Sequence, residues 1–457
     1  MMKKAVILLE SVIAAVIMLM SMSISSAYAI DAGSAAGYTL GENGVEACEL
    51  FNIPDNNIII TDSIDSLRNA LSTAGDRAAV SSDVFLVYMV PGSYSAARPI
   101  TVPENVVLAG EDDTVLTHTG TSPSYMVRVC GSIYGGTFIG NPQISNKSGR
   151  VLLFNDQEFT SPNGIVQNTH VSKAGWSGIE ARGTSTRGCQ VIGNTVKDCG
   201  GNGVRSIGGS TIALIEGNDI SGSGQAGIDI TSGNVGTIKD NNIHNVTGHG
   251  ISTDTEQEFN TPGKPGYGCK RECDITDVIN NTITNTGTHG IYLEENCHIK
   301  GTMDGNKVGK CGKCALGAHP KSTIKMMENN ELYGATLSVF GMSGKVTMGS
   351  GNIIRNGKAA GIALNKGGKL YIKGKNNKIY KNKNNGIQLV ESAYLSITGK
   401  RNYIYSNSWG IGIAKKCKAT IKYAKIYGNK KGAIYCRKGS SFTKSKCSIK
   451  GKVYKQK

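Results

Sequence analysis

A glycine followed by an aliphatic residue recurs down most of this 457-residue chain. The instances are Gly178-Ile179, Gly203-Val204, Gly227-Ile228, Gly250-Ile251, Gly290-Ile291, Gly334-Ala335, Gly361-Ile362, Gly386-Ile387, Gly410-Ile411 and Gly432-Ala433. Most steps are 22 to 27 residues; the step of 40 from Gly250 holds an insertion, and the step of 44 to Gly334 spans a degenerate copy near Cys314-Ala315-Leu316. Nine residues before many of these glycines stands an asparagine: Asn194, Asn218, Asn241, Asn281, Asn352 and Asn377, each followed two residues later by Val or Ile.

A period of this length with short alternating apolar segments describes one turn of a coil, bent where Gly and Asn tolerate positive φ. One coil cannot bury its own apolar face, so coils must stack, Ile over Ile and Asn over Asn. The stacked Asn amides then hydrogen-bond along the stack. A leucine-rich repeat would need a leucine signature that is absent, and a propeller would need blades of ~40 residues. Composition agrees: 60 Gly beside only 10 Pro is too little glycine for collagen, and 39% hydrophobic residues fit neither a disordered chain nor a polytopic membrane protein. The expected fold is all-β, a single parallel β-helix.

The first 29 residues read as a signal peptide, with Lys3 and Lys4, an apolar run broken by Glu10, and Ala27-Tyr28-Ala29 at the cleavage site. No later segment is long and apolar enough to span a membrane, so the mature chain is expected to be secreted or associated with the cell surface. Residues 30–110 form the lead and cap: 62–75 read as an amphipathic helix with Ile64, Leu67 and Leu71 on one face, and strands follow at 84–90, 100–102 and 106–108. Pro91-Gly92-Ser93-Tyr94 and VPENVVLAG at 102–110 resemble the opening of the pectate-lyase-like superfamily, and the repeats from about 165 to 435 resemble its parallel β-helix repeat. That resemblance implies a right-handed β-helix closed by an N-terminal capping helix. Central coils would occupy 111–354, with a loop insertion at 253–273, and lysine-rich coils would occupy 355–457.

Equivalent positions in successive coils form columns, and side chains alternate in and out. With the aliphatic residue after Gly inward, one outward column reads Glu180, Arg205, Asp229, Ser252, Tyr292 and a second reads Arg182, Ile207, Thr231, Asp254, Glu294. A third, just before the glycine, reads Ser177, Asn202, Ala226, His249, His289, with Trp176 beside its upper end. Below these coils the positions become bland, as at Ala363, Gln388 and Gly412. Two His in one column beside Tyr, Arg and carboxylates are the types that proton transfer uses. The insertion leaves the stack beside His249 and is expected to wall a groove, with Cys269 and Cys273 placed to clamp it.

The string TGHGIS at 247–252 matches the histidine signature of polygalacturonase-like hydrolases, but that family's acids have no counterpart here: Asn202, Gln225 and Ala226 occupy the positions. Inverting hydrolysis of that type therefore lacks its acid. The residue types suit proton abstraction α to a uronate carboxylate, as in β-helix polysaccharide lyases and uronate epimerases. Arg205 or Arg182 would neutralise the carboxylate, and His249 or His289 with Tyr292 would exchange protons. Asp229, Asp254 and Glu294 would orient the His or bind Ca²⁺. The catalytic candidates are thus His249, His289, Tyr292, Arg205 and Asp229. Glu180, Arg182, Trp176, Asp254 and Glu294 are the substrate-binding candidates. Calcium is the one cofactor suggested. Cys311-Gly-Lys-Cys314 lacks a second pair at metal spacing and reads as a disulfide or free thiols.

Charge is split along the chain. Residues 355–457 hold 26 Lys and Arg and one acid, Glu391, while the preceding mature chain is acidic. Such a field favours an acidic polysaccharide or cell-wall polyanion, and no nucleic-acid motif accompanies it. The sequence thus leads to a secreted protein acting on acidic polysaccharide, a lyase or epimerase, with a non-catalytic cell-surface or cell-wall adhesin as the alternative.

Overall fold

The computed structural model describes residues 37–121, 125–144, 149–155, 164–184, 186–255 and 272–456. The leader at 1–29, most of the 253–273 insertion and Cys269 lie outside them. The chain winds as a three-sided right-handed parallel β-helix. One side is a sheet of fifteen strands, from Ile100–Val102 to Val453–Lys455. The other two sides merge into one 29-stranded sheet because the long strands Val106–His118 and Ser132–Ile139 each bend around a corner and pair on both sides.

The register is set inside the coil. Ile179, Val204, Ile228, Ile251, Ile291 and Leu316 pair in sequence along the fifteen-stranded sheet, and all are fully buried. Each contributes about 1.5–3 kcal/mol of burial. The column continues through Phe340, Ile362, Ile387, Ile411 and Ile434. This corrects two repeat assignments. Gly334-Ala335 is not a member of the column: Gly334 has φ +65° and turns the corner after Glu331–Tyr333, while Phe340 fills the strand position. In the last copy Ile434, not Ala433, stacks on Ile411, because Gly432 pairs with Trp409.

The corner between the two sides of the larger sheet is built the same way in nine successive rungs. A residue in the left-handed region comes first: Gly193, Gly217, Asp240, Asn280, Gly305, Asn329, Gly351, Asn376 and Arg401. A buried asparagine follows immediately, at 194, 218, 241, 281, 306, 330, 352, 377 and 402. Asn194 accepts, through Oδ1, from the backbone N–H and hydroxyl of Thr169, and each later Asn accepts the backbone N–H and Nδ2 of the Asn one rung before it, as Asn281 does from Asn241 at 3.1 and 2.9 Å. A second ladder, Asn382, Asn407 and Asn429, serves another corner in the last rungs. Buried backbone groups that strand pairing leaves open at the corners are thereby satisfied.

The N-terminal end is closed by helix. Ser63 caps α2 (Ile64–Ser81) in a reciprocal box with Ser66, longer than the helix expected at 62–75, and Leu67, Ala70, Leu71, Ala74 and Ala78 cover the open core. A helix not expected from the sequence, α1 (Glu42–Phe51), packs outside the first rungs, where Ala47 meets Tyr88 and Tyr134. Cys311 and Cys314 are buried thiols, not a disulfide. Cys273, at the far end of the insertion, is a buried thiol paired in register with Cys297. Among the described residues no helix is long and apolar enough to cross a membrane.

Replacing Asn281 by Ala removes its Oδ1 from Asn241 and its Nδ2 from the carbonyls of Ile238 and Ile279. Asn281→Ala is expected to cost about 3 kcal/mol or more in equilibrium denaturation, and Asn429→Ala, at the half-exposed end of the second ladder, about 1 kcal/mol. Equal costs at the two sites would contradict the ladder's role.

Candidate functional site

The middle rungs of the fifteen-stranded sheet carry the candidate residues on the strands Ala226–Thr231, His249–Asp254 and Ile291–Leu293. Pairing confirms the columns: Glu180, Arg205, Asp229, Ser252 and Tyr292 follow one another in register, as do Asn202, Ala226 and His249. Beside them runs an open groove of 530 Å³, lined by His249, His289, Tyr292, Asp229, Asp254 and Glu294, together with Asn202, Ser252 and Lys313.

Three rings form its floor. His249 and His289 stack with centroids 5.2 Å apart and planes within 5°, and Tyr292 lies 4.8 Å from each. The space for this stack comes from the next rung, where Gly317 follows Tyr292 in the column. A Cβ there would meet Tyr292 at 3.2 Å and His289 at 3.3 Å. Tyr292 donates its hydroxyl to Glu294 Oε2 at 2.7 Å and lies 3.1 Å from His319 Nε2, while His319 Nδ1 meets Glu294 Oε1 at 3.1 Å. Thr253 Oγ1 accepts the backbone N–H of Glu294 at 3.0 Å, which fixes the carboxylate's base.

Burial holds both imidazoles below the usual histidine range, and Lys313 adds to the effect. For His289 the neighbouring His249 contributes as well, and its value falls to about 4. Both rings are therefore neutral near pH 7, each with an Nδ1 that finds no hydrogen-bond partner among the described residues. Burial, then the Glu294 carboxylate, pushes the Tyr292 phenol upward, so it stays protonated. Burial raises Glu294, but hydrogen bonds from Tyr292 and the Glu295 backbone and the nearby His319 outweigh it and leave it lowered. The groove thus joins neutral bases to a protonated donor.

Other candidates are placed differently. Glu180 is fully buried. It accepts from Arg150 Nε at 2.6 Å, from Arg182 Nε at 3.0 Å and from Ser177 Oγ at 2.9 Å, with Arg205 at 3.9 Å. Arg205, only 6% exposed, donates to Asp229 Oδ2 at 2.9 Å and Thr231 Oγ1 at 3.2 Å; Asp229 also accepts from Ser252 at 2.8 Å. The outward column is therefore a neutralised stack of charges in place of a row of solvated groups. Arg205 and Arg182 are engaged inside it, and neither they nor Glu180 line the groove. Trp176 lies against Gly201, three rungs from His249, and does not line it either. Asp229 lines the groove but is locked by Arg205, Thr231 and Ser252. Among the described residues no group of three His, Cys, Asp or Glu is arranged to hold a metal.

Sequence reasoning missed Lys313, His319 and Asn202. Lys313 is exposed and makes no ion pair with a described residue; Asn202 is 1% exposed, and its Nδ2 has no partner among the described residues. Lys313 and His319 flank Leu316 in the rung whose glycine signature is lost to Ala315, so columns cannot be carried across it from sequence.

A family model described as right handed beta helix region matches residues 177–326 and 268–449. The chain belongs to this right-handed β-helix family. A search of curated proteins finds no match. Among solved structures, the chain is similar to the A-module of the mannuronan C-5 epimerase AlgE6 from Azotobacter vinelandii, at 16% identity over 88% of this chain and 98% of that one, with a TM-score of 0.47. It is also similar to the periplasmic alginate epimerase AlgG, at 14% identity over 86% and 84%, with a TM-score of 0.46. A third is the catalytic unit of a GH87 α-1,3-glucanase from Streptomyces thermodiastaticus, at 13% identity over 85% and 66%, with a TM-score of 0.40.

The Glu180 network generates a pH prediction. Burial alone would raise this carboxyl, but Arg182, Arg150 and Arg205 bring it from the ordinary 4.5 to about 2. A carboxyl lowered by folding adds stability that is full above its unfolded value and is lost as pH falls through its folded value. The protein is thus expected to lose stability between about pH 4.5 and pH 2. Glu180→Gln is expected to melt lower at pH 7 and to flatten that acid limb. An unchanged limb would contradict the network.

Proposed function

We propose that this is an exported polysaccharide-active enzyme that removes the C5 proton of a uronate residue, and that it acts as a lyase or an epimerase. The observation that carries the reading is the His249–His289–Tyr292 stack: two neutral imidazoles and a protonated phenol in ring contact, on the floor of an open groove. A linear polymer fits such a groove because it is open and runs beside successive rungs. Export follows from the leader read at residues 1–29.

In this reading Lys313 takes the part first given to Arg205 and Arg182, offsetting the charge of the substrate carboxylate and acidifying the C5 proton. The unpaired Nδ2 of Asn202 takes a sugar oxygen. His289 or His249 accepts the C5 proton, and the electron pair moves into the carboxylate. In elimination that pair then forms the C4–C5 double bond while the C4–O bond breaks, and Tyr292 protonates the departing oxygen. In epimerisation no bond to oxygen breaks, and a proton returns to the opposite face of C5. His319, exposed and hydrogen-bonded to Tyr292, restores the phenol's proton from solvent. Asp254 sits on the rim, where it and Glu294 would offer carboxylate oxygens to a calcium ion, which would offset the charge of the substrate carboxylate; chelation that leaves turnover unchanged would show that no ion is required.

The test is turnover on a panel of uronic-acid polysaccharides, read by the ultraviolet absorbance of unsaturated uronate and by NMR of epimerised residues. His289→Ala and Tyr292→Phe are each expected to lower kcat by about 100-fold or more. The acid limb of kcat/KM is expected near pH 4, because protonation of His289 removes the base there. Absence of both unsaturated and epimerised product across the panel would overturn the reading.

A further inference from the structure

The most unbalanced surface of the molecule lies away from the groove. Upstream, several surface cations sit on carboxylates: Lys239 on Glu216 at 2.7 Å, Lys321 on Glu295 at 2.6 Å, Arg355 on Glu331 at 2.6 Å. Beyond Arg355 the chain carries one acid, Glu391, and no ion pair occurs there among the described residues.

Parallel pairing turns these cations into columns on the larger sheet. Lys345 pairs with Lys369, which is followed by Tyr394 and Lys418. On the adjoining side, beyond the Asn377–Asn402 corner, a second column reads Lys378, Tyr403, Lys425. Rungs are about 4.8 Å apart, so like charges one or two rungs apart repel, and none of these lysines meets a carboxylate among the described residues. The repulsion is reduced where tyrosine intervenes, as where Lys425 Nζ lies 5.6 Å from the Tyr403 ring. Beside them Tyr380, Tyr405 and Tyr427 stack with centroids 4.9 and 5.2 Å apart and planes within 3°. Their faces cover one another, and their edges and hydroxyls form the outer surface.

We propose that the strip formed by the Lys378–Tyr403–Lys425 column and the tyrosine stack beside it is a docking site for a linear acidic polysaccharide lying along the solenoid axis, with carboxylates set against alternate rungs. The two-rung spacing of its lysines, about 10 Å, suits a polymer bearing one anion per sugar with every second anion facing the sheet, and the row of phenol hydroxyls offers hydrogen bonds to sugar hydroxyls. Single-stranded nucleic acid is served poorly, because base stacking needs exposed ring faces. A lipid surface is served poorly too, because the columns from Lys369 to Lys425 offer no aliphatic side chain to enter it. The strip and the groove lie on different sheets. The inference rests on the proposed function only for its choice of polymer.

The experiment is calorimetric titration of the full chain with polygalacturonate at low and high salt, beside a variant carrying Lys369→Gln, Lys378→Gln, Lys418→Gln and Lys425→Gln. The wild type is expected to bind with an affinity that falls as salt rises, and the fourfold variant to bind about tenfold more weakly or worse at low salt. Thermal melts of both proteins confirm that the variant is folded. Binding that is unchanged in the variant, equal for a neutral galactan, or tighter for single-stranded RNA or anionic vesicles than for polygalacturonate would overturn the strip. Capture and turnover are separate readouts. Absent product leaves the binding result standing, and retained binding by the fourfold variant removes the strip whatever the groove does.

Discussion

Everything in this molecule depends on how its corners hydrogen-bond. Each of nine rungs turns on a left-handed residue followed by a buried Asn whose side chain satisfies its own rung and the one before. The ladder admits one register, because a shift of one residue would put the amide in solvent and leave buried backbone groups open. Once register is fixed, outward side chains are fixed as well, each a rung apart from its equivalents. Chemistry on the surface then follows from what a column contains. Alternating signs, as in Glu180, Arg205 and Asp229, collapse into a buried ionic stack. Like signs, as in Lys345 and Lys369, stay open. Rings over a glycine, as at His289, Tyr292 and Gly317, make a floor with space above it.

Much of this was legible in the sequence. The repeat gave the parallel β-helix and the columns of the middle rungs, because each of those rungs keeps both its glycine and its asparagine. Reading failed where the marker was lost. Ala315 replaces glycine, so Lys313 and His319 could not be assigned to the site. Asn306 and Asn330 escaped because no glycine stands nine residues beyond them, although each is preceded by a left-handed residue and followed two later by Val or Leu. Gly334 misled because a corner and a strand use glycine for different reasons, positive φ in one and close packing in the other. A corner-based pattern, Gly, Asn or Asp before Asn, finds eight of the nine corners, and only Arg401 before Asn402 escapes it.

The second failure was electrostatic. An outward strand position does not make Arg205 or Glu180 accessible to a substrate. Outward residues of complementary charge one rung apart satisfy each other before any ligand does, and desolvation is tolerable because Glu180 meets three guanidiniums. The network ends at Asp229 and Ser252, where the histidines begin. That boundary separates an ionic, closed segment of the face from a segment whose imidazoles are kept neutral by burial beside Lys313. Proton transfer is supported in the second segment and not in the first.

The central claim is that the groove takes the C5 proton of a uronate, and this step is shared by elimination and epimerisation. The most direct measurement is isotope exchange at that carbon: incubation of a uronic-acid polysaccharide in D₂O with the protein, followed by mass spectrometry of the recovered residues. Deuterium at C5 of intact residues, the mark of epimerisation, or C4–C5 unsaturated chain ends, the mark of elimination, is the expected result, and either disappears in His289→Ala. A polymer recovered without deuterium and without cleavage, although it binds the groove, would contradict it.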